Sequence, residues 1–212
     1  MRTQDLIAAL VADVQAQETP LARALILALV GGAVVSLALF LALIGPRPDF
    51  AAASQTLRFD MKFLDAAVWA APAFALCLRL SRPEATPSAL IAWLLAPVAL
   101  LAIGVGIELL VVPSAVWGVK IIGTNWWHCL TIIPLLSIAP LGALISALRA
   151  GAPRFPALTG ALAGAASAGV AATMYASNCT DDSPLFVATW YPLATAIVTA
   201  VGAAAGRKWL QW

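Results

Sequence analysis

The sequence contains few charged residues. Of its 212 residues, 10% are Asp, Glu, Lys or Arg, and 62% are hydrophobic. A soluble domain carries about 25% charged residues, and so few ionic groups could not cover a water-facing surface. The composition therefore excludes a soluble globular protein and indicates an integral membrane protein. The net charge of +2 is too small to indicate direct binding of nucleic acid.

The patterns that carry enzymatic chemistry are also absent. The sequence has one histidine and three cysteines, with no Cys-x-x-Cys pair, no Gly-rich phosphate loop and no nucleophile beside a base. A membrane thiol oxidoreductase would need closely spaced cysteine pairs, whereas these cysteines stand alone. We therefore predict that the protein is not an enzyme and holds no resident cofactor. No internal repeat of the kind found in many transporters is visible.

Six apolar segments are long enough to cross a bilayer, which takes about 20 residues in a helix. The second segment is the weakest because it contains Asp65, and we expect both Asp65 and Glu108 to extend towards the membrane surface. The fifth contains Gly160 and Gly164 at the small-xxx-small spacing that favours close helix packing. We predict an all-α polytopic membrane protein, a bundle of six transmembrane helices. The predicted spans are residues 25–44, 63–80, 89–112, 129–148, 157–176 and 185–206.

The segment 1–22 precedes the first span and has an amphipathic pattern. Its apolar residues recur at three- and four-residue spacing, whereas Asp5, Asp13 and Gln15 lie away from that stripe. We predict a short cytoplasmic amphipathic helix, separate from the transmembrane domain 23–212. This helix could lie on the bilayer surface or dock on a soluble partner by the helix-in-groove mode. The apolar stripe consists of Leu6, Ile7, Leu10, Val11 and Val14.

Lys and Arg are unevenly distributed between the two sides of this six-span arrangement. With a cytoplasmic N-terminus, eight of them lie on the cytoplasmic side and four on the opposite side. Cytoplasmic loops carry the excess of Lys and Arg in membrane proteins, so we predict that both termini are cytoplasmic. The four residues on the opposite side are Arg47, Arg58, Lys62 and Lys120.

This topology places Cys129 and Cys179 on the same, non-cytoplasmic side, each in polar surroundings at the end of a span. They could be exposed reactive thiols or two unrelated buried residues. Spacing cannot show whether their Cα atoms come within the roughly 7 Å that a disulfide requires. If they bond, closing a loop of about 50 residues constrains the chain by roughly 4 kcal/mol. Cys77 is predicted to be a small buried apolar residue.

A soft-metal site is a second interpretation of the residues around these thiols. Thiolate and imidazole ligands suit zinc or cadmium, and carboxylates could complete the ligand set. The pattern lacks the paired spacing of most zinc sites, so His128 could equally be an interfacial residue that bonds to the backbone or to a lipid headgroup. The candidate ligands and auxiliary sensing residues are His128, Cys129, Cys179, Asp181 and Asp182.

Several short stretches, spread over essentially the whole chain, form a recognisable set. They are residues 3–7 with Leu10, 45–49, 82–83, 128–129, 151–153, 179–191 and Trp212. The most specific of them begins at Cys179 and contains Asp-Asp-Ser-Pro-Leu-Phe. In these stretches the sequence resembles the NrsF family of bacterial anti-sigma factors, which restrain extracytoplasmic-function (ECF) sigma factors.

The resemblance implies that the protein holds an ECF sigma factor inactive at the bacterial inner membrane, on its cytoplasmic side. It also implies that Cys129 and Cys179 are needed to release that sigma factor under oxidative or heavy-metal stress. Residues 1–22 are then the candidate docking segment for the sigma factor, and residues 23–212 form the sensor domain. Cadmium or zinc would bind only transiently.

Two alternatives belong to other classes of protein. A small membrane permease or metal transporter would need a polar path through the bundle, and the spans offer only Asp65 and Glu108, both near one surface. A membrane scaffold would use its cysteines for structure alone. Uptake into proteoliposomes would support the first alternative, and cysteine substitutions that destabilise without altering signalling would support the second.

Overall fold

The computed structural model describes residues 3–4, 21–86 and 89–211, with 89–91 described by their backbone alone. Within these ranges every regular element is helical, which confirms the predicted all-α fold. The predicted N-terminal amphipathic stripe lies outside the described residues. The helices are α1 (Leu21–Leu43), α2 (Phe50–Ala53), α3 (Leu57–Leu80), α4 (Leu95–Val111), α5 (Trp117–Ile122), α6 (Trp126–Leu148), α7 (Pro156–Ala176) and α8 (Pro184–Trp209), with 3-10 helices at Ala89–Leu94 and Ser114–Val116.

Six of the described helices are long and apolar enough to cross a membrane, as the hydropathy predicts. They are α1, α3, α4, α6, α7 and α8. The second span is longer than predicted, because α3 begins at Leu57 and its first turns include the charged residues Arg58 and Lys62. The predicted third span is divided into the 3-10 helix Ala89–Leu94 and α4.

Helix α7 lies at the centre of the bundle. It packs against α8, α3 and α6, whereas α1 packs mainly on α6, and α4 lies at the edge against α3 and α8. The predicted close packing at Gly160 is confirmed, because a Cβ atom there would lie 2.3 Å from the carbonyl oxygen of Gly202 in α8. Small residues allow such backbone contact, so the Gly- and Ala-rich composition of α7 explains its central position.

Glycine and proline mark the ends of the spans. Gly45 follows α1 with a φ of +72° and donates its N–H to the Phe40 carbonyl at 2.8 Å, which is the left-handed helix cap that glycine favours. Pro156 and Pro184 begin α7 and α8, where a missing backbone N–H costs nothing. These residues set where the loops at both ends of the bundle begin.

The bundle has two ends, which we define by their loops. The Cys179 end consists of the loops between α1 and α3, α4 and α6, and α7 and α8; there the Arg47 N–H donates to the Ser177 carbonyl at 3.0 Å. The opposite end consists of the remaining loops. There a Cβ atom on Gly151 would lie 2.8 Å from the Ser81 carbonyl oxygen and 2.9 Å from the side chain of Leu21, so the starts and ends of three spans meet.

Candidate functional site

The two thiols predicted to lie on one side are brought together at the Cys179 end. Cys129 lies in the first turn of α6, and Cys179 lies in the loop between α7 and α8. Both are unbonded thiols and belong to one hydrophobic cluster that includes Tyr175 and Tyr191. The Tyr175 hydroxyl donates to the Asn125 carbonyl, one turn before Cys129, at 3.5 Å. Cys129 and Cys179 therefore form one site, with Tyr175 as their common neighbour.

The expectation that a reactive thiol at a span end is exposed is wrong for both cysteines, because each has 0% of its surface exposed. The polar residues that flank them in sequence point elsewhere, and the aromatic cluster covers the sulfurs. Cys77 is also 0% exposed, as predicted, and its Sγ lies 3.8 Å from the Thr159 carbonyl in α7. Both thiols of the pair are therefore covered in the folded protein.

Two cations hold that loop through its backbone. Lys62 Nζ donates to the Cys179 carbonyl at 2.9 Å, and Arg47 Nη1 donates to the same oxygen at 3.3 Å. Both cations also pair with Asp182, and Arg47 pairs with Asp49 at 2.7 Å. The Lys62 side chain is 1% exposed, and a buried charge is stable only when it is paired and hydrogen-bonded. Asp182 supplies that pairing.

Asp181 attaches the same loop to the start of α6. Its carboxylate accepts the backbone N–H of Thr124 at 2.9 Å and that of Asn125 at 2.8 Å. It also accepts a bond from the Asn125 side chain at 2.9 Å. The first N–H groups at a helix start lack intrahelical partners and attract negative charge. Asp181 thus fixes Cys179 relative to the helix turn that carries Cys129.

The expectation that Glu108 extends to the membrane surface is wrong. It is 2% exposed and forms ion pairs with Arg58 at 2.7 Å and with Lys120 at 3.3 Å. Ser183 Oγ donates to the same carboxylate at 3.2 Å. Asp65 is likewise buried, at 9% exposed. Glu108 therefore links α4 to α3, to α5 and to the start of α8.

From the sequence, the four basic residues at this end indicate only the topology, and their structural role is not predicted. Each of them pairs with a carboxylate: Lys62 with Asp182, and Arg58 with Glu108, for example. The sequence does contain a sign of these ion pairs. Only 10% of its residues are charged, yet four cations and several carboxylates fall in the segments that join the predicted spans at this end. Which residues pair depends on helix positions that the pattern does not give.

His128 lies on the exposed side of α6, whereas the thiols are buried. His128 is exposed although the next residue, Cys129, is buried, because consecutive helix positions point about 100° apart. Asp181 and Asp182 are already engaged by backbone N–H groups and by cations. Among the described residues, no three His, Cys, Asp or Glu side chains converge to hold a metal ion.

Burial and the nearby charge of Lys62 have opposite effects on the pKa of the Cys179 thiol. Burial raises the pKa of the Cys179 thiol above its usual value, and the Lys62 ammonium opposes that rise. The hydrogen bond from Arg47 lowers the pKa of the Asp49 carboxyl, and the bond to Asp49 raises the pKa of Arg47. These shifts favour a neutral Cys179 thiol and an ionised pair of Arg47 and Asp49. A neutral thiol is a poor nucleophile and a poor metal ligand.

We predict that Cys179 reacts slowly with maleimide while the protein is folded. In a Cys77→Ser, Cys129→Ser background, alkylation at pH 7.5 should be about tenfold or more slower than after denaturation, because the folded thiol is buried and its pKa is raised. The raised folded-state pKa contributes stability that is fully present below the ordinary thiol pKa of about 8.5. That stability is lost as the pH rises through the folded-state pKa of the Cys179 thiol. Mass spectrometry over time measures the rate.

The control places the only cysteine at an exposed position of the same end, by Gln55→Cys in a cysteine-free chain. This thiol should react equally fast in folded and denatured protein. Equal folded and denatured rates at Cys179 would contradict the burial of the thiol pair.

These features define a class of protein: a polytopic helical membrane protein whose described helices place a buried thiol pair beneath an ion-paired loop at one end. The chain belongs to the NrsF family, because the family model described as "Negative regulator of sigma F" matches residues 10–212. That match confirms the resemblance inferred from the sequence.

Two relatives are similar over the full length of both chains. The "Anti-sigma-F factor NrsF" of Caulobacter vibrioides is 33% identical over 217 residues, covering 100% of each chain. The "Probable anti-sigma-F factor NrsF" of Azospira oryzae is 32% identical over 217 residues, again covering 100% of each. No solved structure matches this chain.

Proposed function

We propose that this protein is an inner-membrane anti-sigma factor that sequesters an ECF sigma factor and releases it when Cys129 and Cys179 respond to oxidative or heavy-metal stress. The observation that carries the proposal is the match to the family of negative regulators of sigma F over residues 10–212. Full-length similarity to two proteins named as anti-sigma-F factors supports the same role.

The orientation we propose has both termini in the cytoplasm and the Cys179 end in the periplasm. The distribution of basic residues supports it. The four basic residues of the Cys179 end are all paired with carboxylates, whereas the opposite end carries seven described basic residues, in line with the excess of Lys and Arg in cytoplasmic loops. These seven are Arg23, Arg79, Arg82, Arg149, Arg154, Arg207 and Lys208.

The sigma factor would dock on residues 1–22 and the neighbouring loops of the same end. The apolar stripe from Leu6 to Val14 suits the groove of a soluble partner. The close approach of Gly151 to Ser81 and Leu21 supports this location, because it gathers the α3 end, the α6–α7 loop and the start of α1. A partner held by the N-terminal segment would thus lie beside helices that reach the thiol end.

Exchanging two leucines of the stripe for aspartate should free the sigma factor without stress. In Leu6→Asp, Leu10→Asp, two charges oppose burial in an apolar groove, and we expect binding to fall about tenfold or more, since each 1.4 kcal/mol is tenfold. Co-purification and a sigma-dependent reporter measure the effect, with membrane localisation checked by fractionation.

Gln15→Asp is the control, because it adds a charge away from the stripe and should leave restraint unchanged. If the Leu6→Asp, Leu10→Asp variant still held the sigma factor fully inactive, the docking site would lie on the neighbouring loops instead.

The sensing step we propose acts on the thiol pair. In oxidation, two S–H bonds are replaced by one S–S bond, two protons are released and two electrons reduce a peroxide to water or alcohol. A soft metal ion would instead displace the two thiol protons and bind both sulfurs. Either agent can shift the protein only by favouring the releasing conformation over the holding one.

The route from thiols to the opposite end follows from which elements carry them. Cys129 belongs to α6, and Cys179 precedes α8, and both helices pack on α7. A bond between the sulfurs would close a loop of about 50 residues, worth roughly 4 kcal/mol of chain constraint. Movement of the Cys179 loop would also disturb Lys62 and Asp182, which bind it. Repacking of α6 and α8 would then change the docking surface.

The double variant Cys129→Ser, Cys179→Ser tests this mechanism. We expect a sigma factor to co-purify with wild-type protein from solubilised membranes and to fall about tenfold after treatment with cadmium or diamide, within the usual range of allosteric coupling. The double variant should retain it under both treatments.

Cys77→Ser is the matched control, since this buried thiol lies between α3 and α7, and it should release like the wild type. Normal release from the double variant would remove the thiols from the mechanism. If no sigma factor co-purified under any condition, the anti-sigma role would be contradicted, and the permease or metal transporter would become the favoured alternative.

A further inference from the structure

A cavity of about 360 Å³ lies within the bundle. It is bounded by α3, α4, α7 and α8, and neither the thiol pair nor the proposed docking surface forms its wall. Its volume falls within the range of small-molecule sites. Most of its wall is apolar, including Val98 and Leu101 of α4. The lining residues that carry polar groups are Asp65, Trp69, Tyr191 and Thr195.

Three of these residues have polar atoms without partners. Among the described side chains, the buried nitrogen and oxygen atoms that lack a hydrogen bond are Asp65 Oδ1, Trp69 Nε1 and Tyr191 Oη. Asp65 is 9% exposed and Tyr191 is 4% exposed. Buried polar groups in proteins are nearly always hydrogen-bonded. Asp65 and Trp69 belong to the cavity wall, whereas the Tyr191 hydroxyl lies towards Cys129 and Cys179. The unpaired Asp65 carboxylate is therefore the group that a ligand in this cavity completes.

The chemistry of the wall selects the class of ligand. Asp65 has no ion pair among the described residues, because Lys62 and Arg58 on the same helix pair with Asp182 and Glu108. The described wall of this cavity contains no Lys, Arg or His. An ionisable group within a membrane helix is a functional candidate, and an unpaired carboxylate attracts a cation.

Two aromatic rings stand beside that carboxylate in the cavity wall. Trp69 and Tyr191 both line the cavity. Aromatic rings are the groups that recognise quaternary ammonium ions, and the apolar walls suit hydrocarbon. A small inorganic cation would leave most of about 360 Å³ unfilled. The wall therefore fits an organic ammonium ion with an apolar body.

A second cavity, of about 370 Å³, supplies a route to this site. It extends from the Cys179 end between α3 and α4, where Arg58 and Glu108 line it, and shares Asp65 and Leu101 with the first cavity. Helix α4 packs at the edge of the bundle, and this second cavity follows its boundary with α3. A ligand could reach Asp65 from the Cys179 end.

We propose that the cavity of Asp65, Trp69 and Tyr191 binds a lipophilic organic ammonium ion, with the Asp65 carboxylate as its counter-ion. This site is distinct from the thiol pair, and the inference does not depend on the anti-sigma role. Tyr191 belongs both to this wall and to the cluster around Cys129 and Cys179. The ligand site and the thiol pair are therefore adjacent.

The test uses the full chain in phosphatidylcholine nanodiscs, with benzyltrimethylammonium as the probe. Calorimetric titration should give saturable binding of one probe per chain. Asp65→Asn keeps the side-chain shape and removes the charge, so its affinity should fall about tenfold or more. The matched control is Asp60→Asn, which removes an exposed carboxylate from the same helix and should bind like the wild type.

Folding is checked independently. Because Asp65 is unpaired, Asp65→Asn should melt at or above the wild-type temperature. Trp69→Leu, which removes an aromatic ring from the cavity wall, should also weaken binding. Absence of saturable binding, equal affinity in Asp65→Asn, or displacement of the probe by equimolar potassium chloride would each overturn the proposal.

Discussion

Gly160→Leu is expected to separate α7 from α8 and to produce the largest loss of stability of any single substitution considered. A Cβ atom at Gly160 would lie 2.3 Å from the Gly202 carbonyl oxygen and 2.7 Å from the Gly206 Cα. The contact is reciprocal, since a Cβ on Gly202 would lie 2.3 Å from the Gly160 carbonyl oxygen. These are backbone atoms of two packed helices, so no side chain can turn away.

The expected cost is about 3 kcal/mol, at the upper end of what overpacking usually costs. Thermal unfolding in detergent and the yield of folded protein in membranes measure it. Because α7 contacts α8, α3 and α6, the loss should also reduce sigma-factor restraint. Gly202→Leu should behave in the same way.

Gly106→Leu is the matched control for this prediction. It makes the same exchange in a spanning helix, but nothing lies within 4 Å of the position that the new Cβ would take. We expect its unfolding temperature to equal that of the wild type or to exceed it, because leucine favours helix more than glycine does. Similar losses in both variants would mean that the α7–α8 contact is not the cause.

Lys62→Met is expected to release the loop that covers the thiols. Lys62 is 2% exposed, and its ammonium binds both Asp182 and the Cys179 carbonyl. Methionine keeps the length of the side chain and removes the charge. Removing one partner of a buried ion pair costs about 3 kcal/mol or more when the other charge is left alone. Because Asp182 keeps its pair with Arg47, we expect a loss of roughly 2 kcal/mol, and the Cys179 carbonyl would retain only the longer bond from Arg47.

Two measurements check this expectation. Thermal unfolding should show the loss of stability, and the maleimide reaction of Cys179 at pH 7.5 should become about tenfold faster, given that thiol reactivity depends on exposure and thiolate fraction. Adding Asp182→Asn should cost less than the sum of the two single effects, because the partners share one network.

Lys120→Met is the control at the same end of the bundle. Lys120 is 31% exposed and pairs with Glu108, which keeps its shorter bond to Arg58. We expect a loss below about 1 kcal/mol, the usual range for an exposed pair. Unchanged stability and unchanged thiol reactivity in Lys62→Met would show that the loop is held by other contacts.

The two predictions concern different parts of one arrangement. The glycine contacts hold α7 and α8 together along the membrane, and the ion pairs hold the loop that joins these helices. Cys179 lies between them, in that loop. A stress agent that reached the thiols would therefore act where the helix pair and the charge network meet, which is consistent with the sensing step we propose.

The sequence by itself determined the six spans, because the length and apolarity that a bilayer requires are local properties of the chain. It also determined that Cys129 and Cys179 lie at one end, since counting spans gives the end of each loop. Gly160 and Gly164 indicated close packing for the same local reason, through small side chains at one helix face. The resemblance to the NrsF family depended on short stretches that could be read directly.

Only the tertiary structure decided which distant residues meet. Lys62 and Asp182 are 120 positions apart in the sequence, and their pairing depends on α3, α7 and α8 lying side by side, which hydropathy does not encode. The burial of Cys179 and Glu108 depends on the same order of helices, because a residue at a span end is exposed or covered according to its neighbours. The cavity at Asp65 exists because α4 lies at the edge of the bundle and leaves space between α3 and α8. The hydropathy of a transmembrane helix does not predict which helix it packs against. These features are therefore decided by three-dimensional packing alone.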